Sequence, residues 1–242
     1  MQLDVILRTH DGGSVHNYAP RIVDVEKSEI IRRCVSSLTF ALVGVPHRLT
    51  ILDDHSSLST QGFLASCGPV VITGPGNNAS LLDAIQLAGA STADFVYLIE
   101  DDYLHAANSI KEMLAFANLG LSNGLPSIAI HPYDDSNNYK DGRVSSCTVV
   151  PGRERHWRNN IYTTATLMAE PWLFKEPEWG ALARDYGDEV HEGNTINRIW
   201  QSKCPLYTPM PSLAVHLNEN EPPLFDWRSL WKEYDNEYLC VG

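Results

Sequence analysis

The 242-residue chain contains no apolar run near the roughly eighteen residues of a membrane span, so no transmembrane helix is expected. No basic start followed by an apolar stretch opens it, so no secretory signal is expected. It has no Lys/Arg-rich stripe, and its formal charge is −12. That balance argues against a protein that grips nucleic acid by its phosphates. Its five cysteines, Cys34, Cys67, Cys147, Cys204 and Cys240, are odd in number and form no CxxC pair. Neither a zinc knuckle nor a disulfide scaffold is expected, and a reducing, cytoplasmic compartment is inferred. Several common motifs are also missing. There is no GxGxxG after the first strand, no GxxxxGK[ST], no GxSxG and no HExxH. Their absence argues against the commonest dehydrogenases, phosphate-loop NTPases, serine hydrolases and zinc proteases.

What is present is ordinary globular material, 43% hydrophobic and 20% charged, which excludes a disordered chain. The charge is uneven. Residues 1–50 carry a net +1, residues 51–150 a net −8 and the remainder a net −5. The acid concentrated in the middle directs attention there for a cation site. Strands are expected at Leu3–Leu7, Leu49–Leu52, Val70–Thr73 and Phe95–Ile99. Helices are expected over Asp24–Leu42, Ser80–Ala90 and His105–Asn118, with Ser80 and Asp83 in a capping-box spacing. Apolar strands alternating with helices predict a parallel sheet covered on both faces, a doubly wound α/β half over residues 1–120. Beyond 120 the rhythm changes. Strands are expected at Ser127–His131, Val144–Val150, Tyr162–Met168 and Ser212–His216, and helices at Pro171–Asp185 and Asn194–Ser202. One continuous α/β domain, 1–242, is expected, with residues 121–242 as an acceptor-side half ending in a lid or packed tail.

The sharpest feature is Val96–Tyr103, VYLIEDDY. Five apolar residues lead directly to Glu100, Asp101 and Asp102 at the carboxyl end of a predicted parallel strand, where open α/β sheets bind ligands. Strand alternation points Glu100 and Asp102 to the same side. Carboxylates that close repel unless a cation lies between them, and no basic partner is local. Mg²⁺ typically takes one or two carboxylates plus substrate phosphate oxygens, so the spacing suits a metal–diphosphate clamp. Asp53 and Asp54 end another strand in the same manner, although a simple Asx turn reads equally well.

These motifs resemble the nucleotide-binding half of GT-A fold glycosyltransferases, most closely the inverting enzymes of glycosyltransferase family 2. The resemblance covers about residues 3–120. It implies a mainly parallel, Rossmann-like sheet and a nucleotide-diphosphate sugar donor, UDP-, GDP- or dTDP-linked. It implies a glycan or other hydroxyl acceptor, Mn²⁺ or Mg²⁺ as cofactor, and a hexosyltransferase-like reaction with inversion. Glu100, Asp101 and Asp102 stand in place of the family's DXD motif. Arg8, Thr9 and Asp11 occupy the loop that borders the nucleotide in the family. Asp53 matches the acid that meets the base, and Asn77 and Asn78 the polar turn beside the nucleotide. The resemblance implies a catalytic base among Asp188, Glu189 and Glu192, for inversion needs a group to take the acceptor proton. It implies a late metal ligand at His216, beside Asp102 and Glu100. Arg153, Arg155, His156 and Arg158 form a basic cluster that could meet a diphosphate or an anionic acceptor. Two alternatives stand: a nucleotidyltransferase acting on a sugar phosphate, and a non-catalytic nucleotide-sugar-binding module. Against the first, the loop Thr9–Asn17 carries no Lys or Arg.

Overall fold

The computed structural model describes residues 1–12, 21–139, 147–187, 189–217 and 221–234. Along the chain run β1 (Leu3–Thr9), α1 (Lys27–Ala41), β2 (His47–Asp53), α2 (Leu58–Cys67), β3 (Val70–Ile72), α3 (Asn77–Ala90) and β4 (Phe95–Glu100). Then come β5 (Tyr103–His105), α4 (Ser109–Ser122), β6 (Ala129–Ile130), β7 (Val149–Pro151), β8 (His156–Asn160) and β9 (Leu167–Ala169). The chain continues through α5 (Pro177–Asp185), α6 (Asn197–Ser202), β10 (Leu206–Met210), β11 (Ala214–His216) and α7 (Trp227–Glu233).

One nine-stranded sheet has the order β3-β2-β1-β4-β9-β6-β10-β8-β7. Its first four strands are parallel, as their continuous apolar runs predict. From β9 onward the sheet is mixed. Side-chain alternation divides the core into two layers. Leu3, Val5, Leu7, Tyr97 and Ile99 pack with α1 and α4, whereas Ile6, Leu52, Val96 and Leu98 pack with α3, α5 and α6. On α1, the apolar positions Ile30, Ile31, Cys34, Val35, Leu38, Ala41 and Leu42 are all buried. The expected α/β architecture is therefore the one observed.

Several local expectations are corrected. Ser80 does not cap a helix: α3 begins at Asn77, and its N-cap is Gly76 at φ 94°, a conformation that favours glycine. Asp83 instead accepts a hydrogen bond from the Gly74 amide. Tyr103–His105 is a strand, not a helix start, because it pairs antiparallel with β11. Helix α2 and strands β8 and β10 were not expected. The last two contain His, Arg, Asn and Pro, so they lack the apolar pattern of a strand. The tail forms α7. Trp227 is 5% exposed, and Arg33 donates to the Trp231 carbonyl with its guanidinium 4.2 Å from that indole. Residues 221–234 thus take the packed form of the tail. Cys34, Cys147 and Cys204 are free thiols, but Cys67 is disulfide-bonded, contrary to the expectation that the cysteines stay reduced. Among the described residues no helix is long and apolar enough to cross a membrane.

Candidate functional site

Strands β1 and β4 lie side by side in parallel, with Arg8 opposite Glu100 in register. Open α/β sheets form their ligand crevice at such carboxyl ends, and here these ends meet the start of α3. Arg8 links them. Its guanidinium donates to Glu100 Oε1 at 3.2 Å, to the Asn77 carbonyl at 3.1 Å, to Asn77 Oδ1, and to Ser80 Oγ at 3.0 Å. Asn78 ties the same helix start to the end of α5 through the Arg184 carbonyl. Ser80, read from sequence as a cap, is thus part of the crevice wall, and nothing in its spacing signalled that.

The three consecutive acids have three different partners. Glu100 takes Arg8. Asp101 is 6% exposed and accepts from the His10 amide at 2.8 Å and from the Lys27 ammonium. Asp102 lies 3.3 Å from His216 Nε2 through Oδ1 and 3.7 Å from Lys27 Nζ through Oδ2. The basic partners missing from the local sequence are therefore supplied by distant chain. Burial opposes the charge on Lys27, but Asp101 and Asp102 hold it protonated, above the ordinary lysine range. Burial likewise opposes ionisation of Asp102, yet His216 and Lys27 hold its carboxyl well below the usual range. His216 is raised in turn: burial works against its charge and Asp102 outweighs it. Burial pushes Glu100 up, Arg8 pulls it down, and the charges of Asp102 and Glu192 push it up further.

His216 arrives through β11, whose register sets it opposite Tyr103; the imidazole stacks on that ring at 4.6 Å and 9°. The Leu217 amide donates to the Asp102 carbonyl, closing the ladder over the acidic turn.

The implied divalent cation was tested against these donors. Among the described residues no group of three or more His, Cys, Asp or Glu side chains is arranged for a metal. The site offers a pair instead. Asp102 Oδ1 is buried without a hydrogen-bond partner and faces His216 Nε2. A carboxylate oxygen beside an imidazole nitrogen suits Mn²⁺, and substrate phosphate oxygens can complete such a shell. The pair fits the ion. Glu100, expected beside them, is turned to Arg8, and Asp101 to Lys27.

The other predicted residues divide clearly. Asp53 is fully buried; Oδ1 accepts from Thr9 Oγ1 at 2.9 Å, and Oδ2 from the Ser56 amide and Gln61 Nε2, both at 3.0 Å. Asp54 accepts from the Gly76 amide and so anchors the turn before α3. Asp11 accepts from the amide and hydroxyl of Ser57, the N-cap of α2. In this structure Thr9, Asp11 and Asp53 bind one another's loops. Of the proposed bases, Asp188 lies outside the described residues, as do residues 13–20 of the first loop. Glu189 is exposed, and its carbonyl accepts from Asn194. Glu192 accepts from the Tyr186 hydroxyl at 2.8 Å, and its charge reaches Glu100. Tyr186 was not singled out in the sequence. The basic cluster is partly spent. Arg155 pairs with Glu112 at 2.6 Å, and Arg158 forms an ion pair with Asp134 in which both side chains are buried.

No protein-family model matches the chain, and no curated protein matches its sequence. Solved structures do match. S. aureus TarS 1–349 superposes with TM-score 0.55 at 14% identity, over 86% of this chain and 60% of that one. TarS 1–349 in complex with UDP-GlcNAc gives TM-score 0.50 at 14% identity, over 86% and 58% of the two chains. CMP:2-keto-3-deoxy-manno-octonic acid synthetase complexed with CTP gives TM-score 0.50 at 12% identity, over 97% of both chains. The chain thus spans about three fifths of TarS 1–349. At such identity the likeness speaks for architecture. The chain has a GT-A fold, one it shares with S. aureus TarS.

Proposed function

We propose that the protein transfers a hexose from a nucleotide-diphosphate sugar to an acceptor hydroxyl, with a divalent cation and with inversion at the anomeric carbon. The observation that carries this reading is the Asp102–His216 pair at the carboxyl end of β4. It stands in a fold whose solved examples include TarS with UDP and with UDP-GlcNAc. Asp102 and His216 would hold the cation, which when bound neutralises the diphosphate leaving group. Arg8, with the start of α3, would orient the donor. Glu192 would take the acceptor proton, so that the hydroxyl attacks the anomeric carbon directly. Direct displacement needs no enzyme-linked intermediate.

Calorimetric titration of UDP with and without Mn²⁺ tests the reading. Mn²⁺ should strengthen UDP binding to the wild type, and Asp102→Asn should erase that gain in a protein that is still folded by circular dichroism. Equal metal dependence in the variant overturns the clamp. UDP release from UDP-GlcNAc, with water as acceptor, separates an enzyme from a binding module. A second reading, a nucleotidyltransferase acting on a sugar phosphate or sugar acid, is favoured by the synthetase that matches over 97% of both chains. Pyrophosphate release from CTP and a sugar acid, without UDP release from UDP-GlcNAc, would select it.

A further inference from the structure

We infer that Tyr186 is a positioning residue for Glu192: its hydroxyl fixes one carboxylate oxygen and leaves the other to take the acceptor proton. The inference rests on the transferase reading above, with Glu192 as the base. Four carboxylates line the crevice, and three have cationic partners. Glu100 has Arg8, Asp101 has Lys27, and Asp102 has His216 and Lys27. Glu192 differs. Among the described residues the one hydrogen-bond partner of its carboxylate is the neutral phenol of Tyr186, at 2.8 Å. That bond occupies Oε1 and fixes the direction of the carboxylate.

Hydrogen bonds tie described backbone on both sides of Glu192. Tyr186 ends α5 and bridges to Val190, and the Gly187 amide donates to the Val190 carbonyl at 2.8 Å. His191 caps the short 3₁₀ turn that begins at Glu192. Its ring accepts from the Gly193 amide at 3.1 Å, and its own amide donates to Asn194 Oδ1 at 3.0 Å. A free glutamate side chain loses rotamer entropy when ordered, and a hydrogen bond already made in the resting protein removes part of that cost from the reaction. The phenol stays a donor. Burial, then the charges of Glu192 and Glu100, push it far above the usual tyrosine range, with Arg8 pulling the other way.

The test is a double-mutant cycle read as UDP release from UDP-GlcNAc with Mn²⁺ and water as acceptor. UDP affinity is measured separately by calorimetry. Tyr186→Phe should lower kcat by about tenfold, the worth of one oriented hydrogen bond, and leave UDP affinity unchanged. Glu192→Gln should lower kcat by about a hundredfold or more. In the Glu192→Gln background, Tyr186→Phe should cost nothing further, a non-additivity that a merely structural tyrosine would not produce. Additive losses overturn the inference, as does an unaffected Tyr186→Phe beside an inactive Glu192→Gln. A fully active Glu192→Gln overturns the base assignment and the inference with it.

Discussion

Glu100, Asp101 and Asp102 are adjacent in sequence, but each meets a cation from a different part of the chain. The acids were legible because they abut an apolar strand. Their partners were not, because Lys27 and His216 reach them only through α1 and β11. The same limit hid Tyr186, whose role depends on a turn that brings α5 back against Glu192. Buried titratable groups away from the crevice allow predictions of their own. His105 is fully buried, with Nε2 accepting from the Tyr97 hydroxyl and Nδ1 donating to the Tyr103 carbonyl, and burial pushes it down to about 3. In the unfolded chain it keeps the ordinary histidine value of 6.5, so the unfolded chain binds the proton first. Its contribution is complete above pH 6.5 and is lost as pH falls toward 3. Melting temperature should therefore drop between pH 6.5 and 5, and His105→Gln should flatten that slope. An unchanged slope would place the acid sensitivity elsewhere. Arg158 and Asp134 carry a second prediction. Arg158→Met leaves a buried carboxylate without its cation and should cost about 3–5 kcal/mol by denaturant titration.

Among the elements, those of the first half were the easiest to read. Strands β1 and β4 are buried runs whose neighbours on both faces are helices, and such strands announce themselves as apolar stretches. Strands β6, β7 and β9 are two or three residues long, and β8 reads HWRNN. Their pairing is imposed by the sheet edge they join rather than by their own pattern. The tail illustrates the same point. Pro222, Pro223 and the acids around them suggested a loop that could close on a donor. The structure instead seats α7 on α1 through Trp227, Trp231 and Arg33. Limited proteolysis should therefore cut residues 221–234 at the same rate with and without Mn²⁺ and UDP. Trp231→Ala should speed that cutting under both conditions. Ligand-dependent protection would revive a closing lid.

For the molecule as a whole, the predicted single α/β unit and its sheet order place the crevice at the carboxyl ends of β1 and β4. A thermal-shift panel of UDP-, GDP- and dTDP-sugars and of CTP, each with Mn²⁺, is the broadest check. A ligand at a hundred times its Kd should add about 2.7 kcal/mol of stability, and the nucleotide giving the largest shift identifies the base preferred. A panel with no response to any UDP compound would favour the synthetase-like reading. The small β5–β11 ladder has a consequence for how such a site comes into being. One of its strands comes from the first half of the chain and the other from near the end of the second, yet one carries the acidic turn on its border and the other ends in His216. A nascent chain that has made only β1 to β5 already displays all three acids, but without the imidazole. If Asp102 and His216 hold a cation as proposed, its capture through both would wait until β11 has been synthesised and has found its register. A slip of one residue would present Val215 or Leu217 instead. On the proposed metal-binding role the ladder would act as a completion check, since a truncated or mispaired chain would keep its acids and lack the imidazole.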